Sequence, residues 1–88
     1  EENANALSLN VYPNPATSNF TLEYLLEKSS AVKINLMNVT GQLIYSEEMD
    51  AAVGINKKEI SFFENASGIY YLQVITNENV VTKKVIKN

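Results

Sequence analysis

Hydrophobic and polar residues alternate along most of this chain. Leu7, Leu9 and Val11 alternate with Ser8, Asn10 and Tyr12, Phe20, Leu22 and Tyr24 with Thr21 and Glu23, and Val32, Ile34 and Leu36 with Lys33 and Asn35. A period of two places one face of a strand on a core and the other in water. Residues 42–48, 57–63, 69–76 and 80–86 extend the series to about seven short strands. Pro13-Asn14-Pro15 ends the first strand, because a proline brings no N–H to a ladder and holds the residue before it extended. Asn38-Val39-Thr40-Gly41 reads as a hairpin turn. Gly54 and Asn56 stand before the fifth strand, Ala66-Ser67-Gly68 before the sixth, and Asn77-Glu78-Asn79 between the last two. No 3.6-residue period is sustained over three turns. The pattern predicts an all-β sandwich.

Two strands stand out. Ile69, Tyr70, Tyr71, Leu72, Val74 and Ile75 are apolar on both faces, which predicts a central strand with partners on either side. The strand after it carries Lys83, Lys84 and Lys87 and is predicted at a sheet edge. Those lysines give residues 80–88 a local charge of +3, while the remainder of the chain carries −6. Lysines on an edge strand keep sheets from pairing with one another; a basic, unpaired strand can also dock on another protein. The two readings are compatible.

Composition then removes whole classes of chemistry. The 88 residues make one domain, long enough to bury about 60% of the unfolded surface. No apolar run approaches the roughly 18 residues of a membrane span. All seven basic residues are lysine, and the net charge is −3. Lacking the bidentate arginine clamp and repelling polyanions, the chain is not predicted to bind nucleic acid. Cysteine and histidine are both absent, which excludes disulfides, thiolate nucleophiles, Cys- or His-ligated metals and Ser-His-Asp catalysis. No cofactor and no enzymatic activity are expected. Residues 1–6 have neither a basic region nor an apolar signal core, and read as a small polar linker from an upstream protein.

The remaining candidates for chemistry have plainer readings. Glu47, Glu48 and the single aspartate, Asp50, could hold a cation weakly, but they better fit a solvated face, and no cleft-forming insertion supports a glycosidase pair. Asn19, Asn38 and Asn65 begin Asn-x-Ser/Thr triplets, expected by chance in so asparagine-rich a chain. The aromatics could form a sugar-stacking platform, yet most fall at inward positions. Phe62 and Phe63 are adjacent and must face opposite ways, so one is exposed or lies under a loop.

Three signals occur in order: Val11-Tyr12-Pro13-Asn14-Pro15-Ala16 followed by Asn19-Phe20-Thr21-Leu22, then Val39-Thr40-Gly41-Gln42-Leu43-Ile44, then Ala66-Ser67-Gly68-Ile69-Tyr70-Tyr71-Leu72-Gln73-Val74 with a terminal Lys83-Lys84-Val85-Ile86-Lys87. From about residue 9 to residue 88 the chain resembles the C-terminal sorting domain (type A) of the type IX secretion system of Bacteroidetes. The resemblance implies an Ig-like antiparallel β-sandwich at residues 7–88 that directs an N-terminal cargo protein through the periplasm and across the outer membrane. Its implied partners are outer-membrane secretion machinery, with shuttle and sortase-like components. The implied fate is removal by a sortase-like peptidase, within or before residues 1–6, and cargo attached to the surface or released. By position the resemblance picks out Pro13, Asn14 and Pro15, Gly41, Gly68 and Tyr70, and Lys83, Lys84, Val85 and Lys87. One departure is Asn65, where the family often has an aliphatic residue; Phe63 is a candidate for the missing contact. The competing function is a non-catalytic binding module, for carbohydrate or adhesion, which requires an exposed aromatic platform or a metal loop.

Overall fold

Each segment read from the alternating pattern forms a strand in the structure, a computed structural model that describes residues 7–62 and 64–88. The strands are β1 (Ser8–Tyr12), β2 (Asn19–Leu26), β3 (Ser30–Asn38), β4 (Leu43–Ala51), β5 (Gly54–Ser61), β6 (Gly68–Ile75) and β7 (Val80–Lys87). They form a three-stranded sheet in the order β1-β2-β5 and a four-stranded sheet in the order β4-β3-β6-β7, with every strand pair antiparallel. The architecture is the all-β, Ig-like sandwich expected of the sequence. No helix among the described residues is long and apolar enough to cross a membrane.

The inward positions are those the alternation selected. Phe20, Leu22, Tyr24 and Leu26 from β2 meet Val32, Ile34 and Leu36 from β3 and Tyr70, Leu72 and Val74 from β6, all buried. Each such side chain contributes about 1.5–3 kcal/mol by leaving water. β6 is flanked by β3 and β7, as its composition predicts, but its second face is not covered: Ile69 and Tyr71 remain exposed.

Turn signals set the fifth strand less accurately. Gly54 and Asn56 lie inside β5, and the link from β4 is Ala52-Val53. Asn56 supports that link from within the strand, its Nδ2 donating to the carbonyls of Ala52 (2.9 Å) and Gly54 (3.2 Å). β5 stops at Ser61 because Phe62 leaves the ladder for the core, where it is 1% exposed. Phe63 lies outside the described residues, so the contact suggested for it does too.

The acidic segment of β4 splits between two faces. Glu48 and Asp50 point outward, opposite Lys33 and Ala31, whereas Glu47 faces the sandwich opposite Ile34. There it bridges the sheets: Lys58 Nζ of β5 lies 2.9 Å from Glu47 Oε1, and the Tyr45 hydroxyl donates to the same oxygen. The Tyr45 and Lys58 hydrogen bonds hold the Glu47 carboxyl below its usual range, and burial, with the Glu47 hydrogen bond and charge behind it, pushes Tyr45 up to about 12. A carboxylate with a lowered folded pKa stabilises fully above its unfolded value and loses that contribution as pH falls through the folded one. Tyr45 works in reverse, losing its contribution as pH rises from its ordinary 10 towards about 12. Melting curves should show the parent losing more stability than Glu47→Gln between about pH 5 and 3. Parallel acid limbs would contradict the clasp.

Candidate functional site

The corner built by residues 13–16 starts with what proline cannot do. Pro13 and Pro15 supply no N–H, so β1 ends at Tyr12 and the chain turns from its partner β2. Asn14, between them, does with its side chain what a strand does with its backbone. Its Nδ2 donates to the Lys84 carbonyl at 2.9 Å, and its Oδ1 accepts from the Ile86 N–H at 2.9 Å. A side-chain amide carries donor and acceptor on one plane, as a peptide group does. Ala16 continues the pairing: its N–H donates to the Ile86 carbonyl and its carbonyl accepts from the Asn88 N–H, both at 2.8 Å. Ala16 is itself buried and pairs in parallel with Lys87.

This changes the picture of the terminal strand. β7 is the last strand of its sheet, as its lysines suggest, but from Lys84 to Asn88 its outer edge is already engaged by Asn14 and Ala16. The expectation of an unpaired terminal edge fails there, because a loop from the opposite end of the sequence occupies it. Asn14→Ala should cost about 1–2 kcal/mol, leaving two edge groups to water. Amide exchange at Ile86 should accelerate in the variant; unchanged protection would mean that Asn14 does not hold the strand.

The third motif reaches the same corner from β6. Gly68 opens the strand at φ +146°, a conformation L side chains rarely adopt, and pairs with Lys87. Tyr70 pairs with Asn38 of β3 and Val85 of β7. Its ring is buried against Phe62 at 5.5 Å between centroids, and Phe62 meets Phe20 edge-on at 5.1 Å. The Tyr70 hydroxyl donates to the Ala66 carbonyl, tying down the loop before its own strand. Phe62 holds the start of that loop, donating its N–H to the Ser18 carbonyl (2.9 Å) and accepting from the Asn65 N–H (3.0 Å). Lys87 Nζ lies 5.9 Å from the centre of the Phe62 ring.

Gly41 lies at the same pole, since β3 ends at Asn38 beside Tyr70. Asn38 Oδ1 organises the turn, accepting from the N–H of Thr40 (3.1 Å), the Thr40 hydroxyl (2.8 Å) and the N–H of Gln42 (2.9 Å). Gly41 closes it with φ +87°. Pro13, Asn14, Pro15, Gly41, Gly68, Tyr70, Val85 and Lys87 thus gather at one pole. Lys83 and Lys84 do not join them as a single basic patch. Lys83 sits mid-strand opposite Leu72 and shares a face with Val85 and Lys87, whereas Lys84, opposite Tyr71, points to the other face. The period of two that makes the strand divides its charge.

No cluster of three metal-ligating side chains is present among the described residues. The two clearly exposed tyrosines, Tyr12 (41%) and Tyr71 (37%), lie on the outer faces of different sheets, so they make no common platform. Sequence reasoning missed Ala16 and Phe62 as organisers of the corner. An asparagine held between two prolines, with a small buried residue after it, was the available signal.

The profile of the secretion system C-terminal sorting domain family matches residues 10–88. An ulvan lyase of Nonlabens ulvanivorans is 33% identical over 81 residues. That alignment covers 90% of this chain and 14% of the lyase, so the chain spans a small part of the length of that relative.

Proposed function

Since the chain belongs to the family of secretion system C-terminal sorting domains, those of the type IX system of Bacteroidetes, we propose that it takes the protein joined to its N-terminus across the outer membrane and is read as a folded surface at the motif pole. Domains of this family mark proteins that are secreted or held on the cell surface, and the sorting domain is not itself catalytic. The observation that carries the reading is the convergence of motif segments far apart in sequence, with Asn14 bonded to Lys84 and Ile86, and Tyr70 packed between Asn38 and Val85. A linear tag needs no such corner; a recognised surface does. The start of β1 supports it: Ser8 pairs with Leu25 at the opposite pole, so the first strand begins far from the motif residues.

In this reading the secretion machinery engages the pole and the terminal strand, with Lys83, Lys84 and Lys87 at its flank. A sortase-like peptidase then cuts upstream of Ser8, within or before residues 1–6. The test is necessity. The full-length protein should reach the surface or medium of a host with type IX machinery, and remain in the periplasm when residues 7–88 are deleted. The exported form should have a mass that ends before Ser8. Export of the deleted form at the parent level would overturn the reading, and an exported form that retains the domain would overturn the cleavage step alone.

A further inference from the structure

The outer face of the four-stranded sheet is not polar throughout. Its middle is a hydrogen-bonded row, Ser46 Oγ to Asn35 Oδ1 at 2.8 Å and Asn35 Nδ2 to Gln73 Oε1 at 3.3 Å, with Thr82 next to Gln73 in register. Towards the motif pole the face turns apolar. Leu43, Met37 and Tyr71 form one row across β4, β3 and β6, and Ile69 and Ile86 pair beside it. Residues paired across strands share a face, so these five side chains are neighbours.

Leu43 shows that the arrangement is built. Tyr45 faces the core, and simple alternation would turn Leu43 inward as well. The register shifts between Leu36 and Met37, where β4 carries one extra residue, Ile44. Ile44 packs against the core, and Leu43 is re-aimed outward, 54% exposed. The outer face of the other sheet is polar through its middle, at Asn10, Thr21, Glu23, Lys57 and Glu59, and its exposed apolar pair, Leu25 and Ile55, lies at the pole away from the motif residues.

We infer that Met37, Leu43, Ile69, Tyr71 and Ile86, with Lys84 on their rim, form the docking face for a protein of the secretion machinery that presents an apolar surface bordered by acidic residues. This rests on the export function proposed above and names the surface through which it acts. The charge argues for the partner: Lys84, next to Tyr71 in register, is the β7 lysine turned to this face, in a chain whose residues outside 80–88 carry −6. A second copy of the domain would set Lys84 against a like-charged edge. The area argues for a transient complex. Stable interfaces use about 20–30 residues a side, well beyond this group, and a sorting signal has to be released.

The test compares two doubly substituted domains on the same cargo. Ile69→Thr/Tyr71→Ser alters the proposed face, and Leu25→Thr/Ile55→Thr alters residues at least as exposed on the other sheet, away from the motif pole. The first should lower the exported fraction at least tenfold while its melting temperature stays that of the parent; the second should export as the parent does. Lys84→Glu, which removes no apolar contact, should also reduce export. Export of both Ile69→Thr/Tyr71→Ser and Lys84→Glu at the parent level would overturn the inference, as would concentration-dependent dimerisation of the parent domain that Tyr71→Ser abolishes. Failure of the parent domain itself to export would instead remove the underlying function, so the two failures are distinguishable.

Discussion

Replacing Tyr70 by alanine should cost the domain about 3–5 kcal/mol, the range for deleting a buried aromatic ring. The ring is 5% exposed, lies against Phe62 and sits between the strand partners Asn38 and Val85. Its removal opens a cavity under the loop held by the hydroxyl bond to Ala66, so the loop loses its anchor together with the core contact. Domains of this size are stabilised by only about 5–15 kcal/mol in total. Tyr70→Phe keeps the ring and should cost only about 1–2 kcal/mol for the hydrogen bond. Urea unfolding should therefore rank parent, Tyr70→Phe and Tyr70→Ala in that order, with the midpoint moving and the slope preserved. A loss below about 1 kcal/mol in Tyr70→Ala would place the ring outside the core and shift the facing of β6 by one residue.

Deleting residues 84–88 should have an effect at least as large. Val85 is fully buried, and its loss removes about 1.5–3 kcal/mol of burial. The same deletion leaves Asn14 and Ala16 without their four hydrogen bonds, at about 1 kcal/mol each, and strips the partner from residues 68–71 of β6. The sum approaches the whole stability of a small domain. The truncated chain should be largely unfolded at 37 °C by circular dichroism and should not direct export. A truncated domain that melts within a few degrees of the parent would show that the terminal strand is an appendage. Lys83, Lys84 and Lys87 changed to glutamine separate folding from recognition, because this variant keeps Val85 and every backbone bond of β7. Lys87 alone touches the core through Phe62, a cation–ring contact worth about 0.5–1 kcal/mol.

Much of the fold was legible because one face of every strand is buried, and burial imposes the period of two on the sequence. Phe20-Leu22-Tyr24, Val32-Ile34-Leu36 and Tyr70-Leu72-Val74 are inward in the structure as the alternation requires. The chain ends of strands were less legible, since Gly54 and Asn56 can either form a turn or brace one from inside a strand. What the sequence could not carry was long-range pairing of backbone groups. Asn14 and Ile86 are bonded across most of the chain's length, and nothing in a local pattern marks which polar atoms will meet. For the same reason the terminal edge read as open, although Asn14 and Ala16 cover part of it. The bulge at Ile44, opposite Leu36 and Met37, was hidden too. In a run such as Leu43-Ile44-Tyr45, three apolar residues in succession leave the inward one undetermined until the register is known.

The central claim is that this folded domain is by itself a sufficient address, and one measurement tests it most directly. An unrelated, stably folded passenger behind a periplasmic signal peptide is fused to residues 7–88, and the fraction accessible to protease outside intact cells is measured in a host with a working type IX system and in the same host with that system disabled. Most of the passenger should be outside in the first host and protected in the periplasm in the second. A passenger that stays protected in the working host, although the attached domain is folded and intact, would contradict the account.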